Sequence, residues 1–358
     1  MPSEIETIAR ETMQKFEVPG LAILYQRGDA EIQSLFLGTD AVGNPVTRDS
    51  LFIVASITKL ATALSVLRLV DANQIALDDE LEKFLPDARA AQHSVTVRTL
   101  LCHISGLPMD LPNEHELYGV AKSWDEIQNE CLNVELERAP RTRVVYGNVG
   151  YGLLARIVER VTQKTFLDAL RALVLQPLNI EGYLGDEPSR AVMTLADVRS
   201  RHVGTDIEPY NSRYYRALGL PWSGLITNAD GALKLVRAFV RFARRNNEPR
   251  DFLSDALRHE ATQNQTDSLP GGYGGRFDYP VAWWGLGVDL RGDKKPHWTP
   301  TNASPYTFGH AGASGCVAWH DPEKNISWAI LGTRTADNAW LVRGAAKIGT
   351  AMLEPESF

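Results

Sequence analysis

Three cysteines in 358 residues, Cys102, Cys131 and Cys316, are odd in number, widely spaced and in no paired motif, which excludes a disulfide framework. Long apolar runs are missing too: no stretch approaches the roughly eighteen consecutive apolar residues that a spanning helix requires. Charge of one sign is nowhere concentrated. The net charge of −7, from 44 acidic and 37 basic residues, is spread without long blocks, and nucleic acid is not expected as a partner. The N-terminal MPSEIETIARETMQKFEVPG has neither a basic n-region nor an apolar h-region, so it reads as an acidic amphipathic helix and not as a signal peptide. These absences lead to the expectation of a soluble, cytoplasmic protein without membrane contact.

Metal and nucleotide signatures are also lacking. His115 and His259 each precede a glutamate, but no second histidine follows to complete His-Glu-x-x-His. There is no Walker-type loop and no Gly-x-Gly-x-x-Gly after a strand, and Gly271, Gly272, Tyr273, Gly274, Gly275 read as a flexible loop. No metal and no cofactor are expected.

What is present is an ordinary globular composition, 44% hydrophobic and 23% charged, in a chain long enough for two regions sharing a large core. Around Ser56, Ile57, Thr58, Lys59 a helix is predicted to about Asn73, with apolar residues in nearly every direction, hence buried. Serine and lysine three apart share a helix face, which is the geometry of a nucleophile and its base. At a helix start Ser56 also has backbone N–H groups without intrahelical partners, ready donors for an oxyanion. The plainer alternative is an N-cap serine and a lysine whose head reaches solvent. A lysine inside so apolar a helix needs a partner, and that favours the first reading.

Strands are predicted at Leu21 to Gln26, Glu31 to Leu37, Cys316 to His320 and Ile326 to Leu331. Helices are predicted over Asp78 to Phe84, Val149 to Val161, Asn228 to about Arg244 and Thr335 to Met352. Residues 78–220, rich in helical patterns broken by prolines, read as a mostly helical region inserted into a discontinuous α/β sandwich of residues 1–77 and 221–358. Tyr146 and Asn148 sit on the turn before Val149 as a packed ring and an N-cap, or as a proton relay eased by a nearby lysine and a carboxamide that fixes that lysine. Aromatic residues from Tyr273 to Tyr306 on irregular backbone suit surface packing and a pocket wall equally. In Phe308 to Gly315, glycines around His310 let a substrate approach an edge strand, and Ala313 offers a second oxyanion N–H; alone, the motif would be a Gly-rich turn with a packed histidine.

Ser-x-x-Lys, Tyr-x-Asn and His-x-Gly, in this order, resemble the serine β-lactamase and penicillin-binding-protein-like superfamily, specifically its class C-like branch with esterase-type members. Leu100 to Leu107, Tyr146 to Phe166, Trp222 to Leu235 and Gly309 to Thr333 carry the similarity further. The resemblance implies an α+β fold, an antiparallel sheet flanked by helices with a mostly helical inserted region. It implies Ser56 as acylated nucleophile, Lys59 as its activator, Tyr146 as proton relay and Asn148 as the residue that orients lysine and substrate. It also implies an oxyanion hole at Ser56 and Ala313, with His310 and Gly312 on the substrate side. Histidine at 310, where class C β-lactamases usually carry lysine, weakens a carboxylate anchor. The expected function is therefore carboxylic-ester hydrolysis of a small-molecule substrate, with room for weak β-lactam hydrolysis. A β-lactamase, a D-amino-acid amidase or peptidase and an acyltransferase stand as alternatives. A non-catalytic sensor or scaffold usually lacks a motif residue, and here all are present; oligomeric state is not legible.

Overall fold

The computed structural model describes residues 3–112, 114–240, 252–275 and 277–354, the side chain of His115 excepted. Its centre is a six-stranded antiparallel sheet. The strands are β1 (Gly20–Arg27), β2 (Gln33–Gly38), β3 (Asp289–Leu290), β4 (Phe308–Gly312), β5 (Cys316–Asp321) and β6 (Ile326–Gly332), in spatial order β2-β1-β6-β5-β4-β3. The helices that frame the site and sheet are α1 (Glu4–Phe16), α2 (Thr58–Asp71), α3 (Val149–Thr162), α4 (Ala229–Arg237) and α5 (Ala346–Leu353). Among the described residues no helix is long and apolar enough to cross a membrane.

Strand alternation divides the sheet into two buried faces. Leu21, Ile23, Val317, Trp319, Trp328 and Ile330 turn to one side and pack with Ala9 of α1 and Ile348 and Met352 of α5. Ala22, Leu24, Cys316, Ala318, Ala329 and Leu331 turn to the other and join a larger core with α2, α3 and α4. The same core continues into residues 78–220 through Leu81, Leu100, Ile127, Leu153 and Phe166. This is the expected α+β arrangement of an antiparallel sheet with helices on both faces.

Helix α2 lies deep in that core: eleven of its fourteen residues are buried. Its polar side chains are matched to backbone groups. Thr58 Oγ1 accepts from the Leu225 N–H at 3.0 Å, Thr62 donates to Pro221 O at 2.5 Å, and Ser65 to Thr62 O at 2.7 Å. Unpaired, each hydroxyl would cost about 1–3 kcal/mol at such burial.

Several elements differ from the sequence expectation. The first turn around Ser56 is a separate 3-10 turn, Ala55–Ile57, and α2 ends at Asp71 because Asn73 takes a left-handed φ of 54°. Only Leu81–Lys83 of the expected 78–84 helix is helical, since Leu81 N–H bonds Val95 O (2.8 Å) and Glu80 pairs with Thr96. Phe308–Gly312 is not merely a turn leading to the hairpin but a strand in its own right. The closing helix starts after Trp340: Ala339, with φ 63°, interrupts it, and the buried Trp340 indole donates to Arg334 O and Thr335 O, both at 3.1 Å. Helix α4 covers Ala229–Arg237, and the predicted end near Arg244 lies outside the described residues.

Because α2 is enclosed on all sides, a cavity at its centre has no route to collapse. Leu64→Ala should cost about 2–5 kcal/mol in urea unfolding, with little change in the m-value.

Candidate active site

The site forms where the N-terminus of α2 meets strand β4 and the turn before α3. Ala55 adopts φ 43°, a left-handed conformation that costs a non-glycine residue about 1–2 kcal/mol, and this turn presents Ser56 at the cavity surface. Strand β4 passes directly behind. A Cβ on Gly312 would stand 2.3 Å from Val54 O, so a glycine is required for the strand to come this close to the Ser56 turn. Ser56, Tyr146, His310, Gly312 and Ala313 line one cavity of about 350 Å³, closed by Tyr273 and Trp298 among others. Lys59 stands behind Ser56 within hydrogen-bond distance, and Asn148 bonds to Lys59.

Lys59 is fully buried, and its Nζ lies 3.4 Å from Ser56 Oγ, 2.7 Å from Asn148 Oδ1 and 3.2 Å from Trp222 O. The two carbonyl oxygens can only accept. A neutral amine would therefore spend its two N–H bonds on Asn148 and Trp222, leaving its lone pair toward the Ser56 hydroxyl. The Asn148 orientation is itself fixed, because its Nδ2 donates to Asp110 Oδ1 at 2.5 Å. Burial brings the Lys59 pKa down to about 7, against the opposing pull of Asp110 and Glu114.

The turn carrying Tyr146 and Asn148 is clamped from outside the motif. Val145 N–H donates to His103 O (2.8 Å), Gly147 N–H to His103 Nδ1 (3.2 Å) and Asn148 N–H to Met109 O (2.6 Å). The Tyr146 ring sits among His103, Tyr273, Trp284 and His310, at centroid distances of 4.9, 5.0, 5.7 and 5.7 Å. The expectation that lysine would ease ionisation of the Tyr146 phenol is corrected. Burial pushes the phenol well above its ordinary range, with Ser56 opposing, and Lys59 Nζ lies over the ring face at 4.6 Å. His310 is neutral at pH 7 as expected: burial first, then Lys59, lowers it to about 4. Its Nδ1 is 2.7 Å from Ala311 O, which can only accept, so Nδ1 carries the hydrogen.

The geometry also brings in residues that the sequence reading did not assign to the site. His103 lies in the Leu100 to Leu107 stretch already noted for its pattern, whereas Asp110 and the Trp222 carbonyl have no sequence signal that separates them from their neighbours. Tyr273 and Trp298 come from the aromatic-rich segment and take the pocket-wall alternative. Among the described residues, no group of three or more His, Cys, Asp or Glu side chains is placed to hold a metal ion.

The profile of the family described as Beta-lactamase matches residues 5–348. The chain belongs to the β-lactamase family. With that family comes the β-lactamase/transpeptidase-like fold. Among curated relatives, penicillin-binding protein 4 of Amycolatopsis lactamdurans is 31% identical over 238 residues, 63% of this chain and 59% of that protein. Protein flp of Staphylococcus aureus (strain MRSA252) is 25% identical over 186 residues, 49% of this chain, and the match spans 37% of flp's own length. Among solved structures, EstCE1, described as a hydrolase with promiscuous acyltransferase activity, superposes with a TM-score of 0.72. That match covers 96% of this chain and 97% of EstCE1 at 19% identity, a likeness of fold.

The Lys59 environment has a measurable sign. Its folded pKa, about 7, lies below the ordinary 10.5, so between these values the unfolded chain holds a proton that the folded chain does not. The stability of the wild type relative to Lys59→Met should therefore rise by about 1.4 kcal/mol per pH unit from pH 7 toward pH 10, and stay constant below pH 7. Paired urea titrations across that range check it.

Proposed function

We propose that this chain is a serine hydrolase that works through an acyl-enzyme and acts best on carboxylic esters. The observation that carries the reading is the buried Lys59 amine held against Ser56 by two carbonyl acceptors. In this scheme Ser56 passes its proton to neutral Lys59 as Oγ attacks the ester carbonyl. The oxyanion is received by the Ser56 and Ala313 N–H groups. Collapse expels the alcohol, which takes a proton relayed by the Tyr146 hydroxyl, and water then attacks the acyl-enzyme along the reverse proton path. Asn148 holds the lysine in place, and Gly312 lets β4 lie close against the turn that presents Ser56.

Preference for esters over carboxylate-bearing β-lactams is supported by His310. A neutral imidazole supplies no fixed cation for a carboxylate, and the cavity surface around it is mostly apolar. Acyl transfer, the side activity named for EstCE1, would draw on the same acyl-enzyme. A second reading, hydrolysis of an amide or ester bearing a free amine, is favoured by the carboxylates on the far side of Asn148. Burial, and then the charge of Asp110, raise Glu114 to about 7, a setting that a substrate ammonium would relieve.

Intact-protein mass after a fluorophosphonate should show one adduct, lost in Ser56→Ala, and p-nitrophenyl butyrate should turn over much faster than a chromogenic cephalosporin. Ser56→Ala and Lys59→Ala should each lower kcat on the order of 10⁴-fold, and the double variant little further. Clearly additive losses would count against a coupled pair, and a cephalosporin preferred over the ester would replace the esterase reading with a β-lactamase one.

The amine reading has its own discriminant. If D-alaninamide or a D-amino-acid p-nitroanilide outperforms the butyrate ester, and Glu114→Gln removes that advantage, the amidase reading replaces the esterase one. An advantage for the uncharged ester that is unmoved in Glu114→Gln excludes the amidase reading.

A further inference from the structure

Behind the cavity wall lies a second buried charge cluster that the proposed chemistry does not use. Asp289 on β3 accepts three hydrogen bonds. Lys294 Nζ donates to Oδ1, the Tyr273 hydroxyl donates to Oδ2, and His297 Nε2 lies 2.9 Å from Oδ2. The Thr299 backbone N–H points at His297 Nδ1 (3.4 Å), so Nδ1 holds the lone pair and Nε2 the hydrogen that Asp289 receives. The side chains of Asp289, Lys294 and His297 are 1–2% exposed. A buried ion pair contributes little stability over an apolar replacement of the same volume, so stability alone is a weak reason for this one.

The donors come from two pieces of the cavity wall, Tyr273 from one and Lys294 and His297 from another. Tyr273 lines the cavity and packs against Tyr146. Lys294 and His297 sit on the loop that carries Trp298, which also lines the cavity and meets Tyr273 edge-on at 4.6 Å. Asp289 itself is paired through β3 with Gly309, next to His310 on β4. Lys294 Nζ further lies 4.9 Å over the ring of Trp284, a neighbour of Tyr146. One carboxylate thus joins the Tyr273 turn, the Trp298 loop and the sheet edge.

We propose that Asp289 is a specificity-determining positioning residue: by binding Tyr273, Lys294 and His297 it fixes the Tyr273–Trp298 wall, which limits the length of apolar chain the cavity admits. The inference deepens the ester-hydrolase reading and rests on it for the substrate class.

The test compares kcat/KM for p-nitrophenyl acetate, butyrate and octanoate in the wild type, Tyr273→Phe, Asp289→Asn and the double variant Asp289→Asn/Lys294→Met. Tyr273→Phe keeps the ring and removes only its tie to Asp289, so it guards against a folding failure in the others. The expected result is a butyrate-to-octanoate ratio lowered about tenfold in the variants, the scale of discrimination that a shaped apolar pocket achieves. Equal losses on all three esters would reveal a merely structural role and overturn the proposal. Melting-temperature shifts with n-butanol and n-octanol read the same wall without chemistry. A larger octanol shift in the variants than in the wild type supports the proposal, and unchanged shifts overturn it. Absence of ester turnover in the wild type would strike at the hydrolase reading, with the alcohol shifts still deciding the wall.

Discussion

A primary amine buried in an apolar helix is the constraint on which the rest of the structure depends. Water is excluded around Lys59, so the ammonium form is disfavoured and the amine must find acceptors within the protein. Those acceptors come from far along the chain, Asn148 on the turn before α3 and Trp222 on the segment returning toward α4. Holding them in place requires the His103 and Met109 clamp on the Tyr146 to Asn148 turn, and Asp110 to orient the carboxamide. One nitrogen on α2 thus joins the turn before α3 to the segment that leads to α4.

Among the described residues two lysines, Lys59 and Lys294, are buried, and they differ in their hydrogen-bond partners. Lys59 has neutral acceptors, Asn148 Oδ1 and Trp222 O, and its pKa falls to about 7. Lys294 is bonded directly to Asp289: burial lowers its pKa too, with the carboxylate's charge opposing, while against burial the charges of Lys294 and His297 hold Asp289 well below the usual carboxylate range. The first environment yields an amine able to take a proton near neutral pH. The second yields an internal tether. Identical side chains therefore take different roles from the partner placed within reach, not from the degree of burial.

Burial acts on the remaining titratable groups of the site in the same direction, toward neutrality. It raises the Tyr146 phenol and lowers the imidazoles of His103 and His310. The cavity that results has aromatic walls and little fixed charge at its surface. Asp110 and Glu114, behind Asn148, bear on the lysine, and Asp289, behind Tyr273, bears on the wall.

The local elements were readable because they obey local rules. The period-two pattern of β1, β5 and β6, the largely apolar α2 and the α3 helix follow from residues adjacent in the chain, and Ser56 with Lys59 share a face by helix geometry alone. Motif order was likewise enough to point to the family and to the residues that converge on the cavity. Other features escaped because they depend on partners distant in sequence: the 78–84 segment gives up its helix to pair with residues 95–97, and the Phe308 to Gly312 stretch becomes a strand only beside β5. The sign of the Tyr146 shift was misjudged for the same reason, since proximity to a lysine was visible in the pattern while depth was not. Composition and spacing determined which groups this protein has and the order in which they occur. Tertiary structure alone decided which carbonyl faces Lys59, which carboxylate holds Tyr273 and how much water each can reach, because solvation and through-space contact are properties of the packed chain.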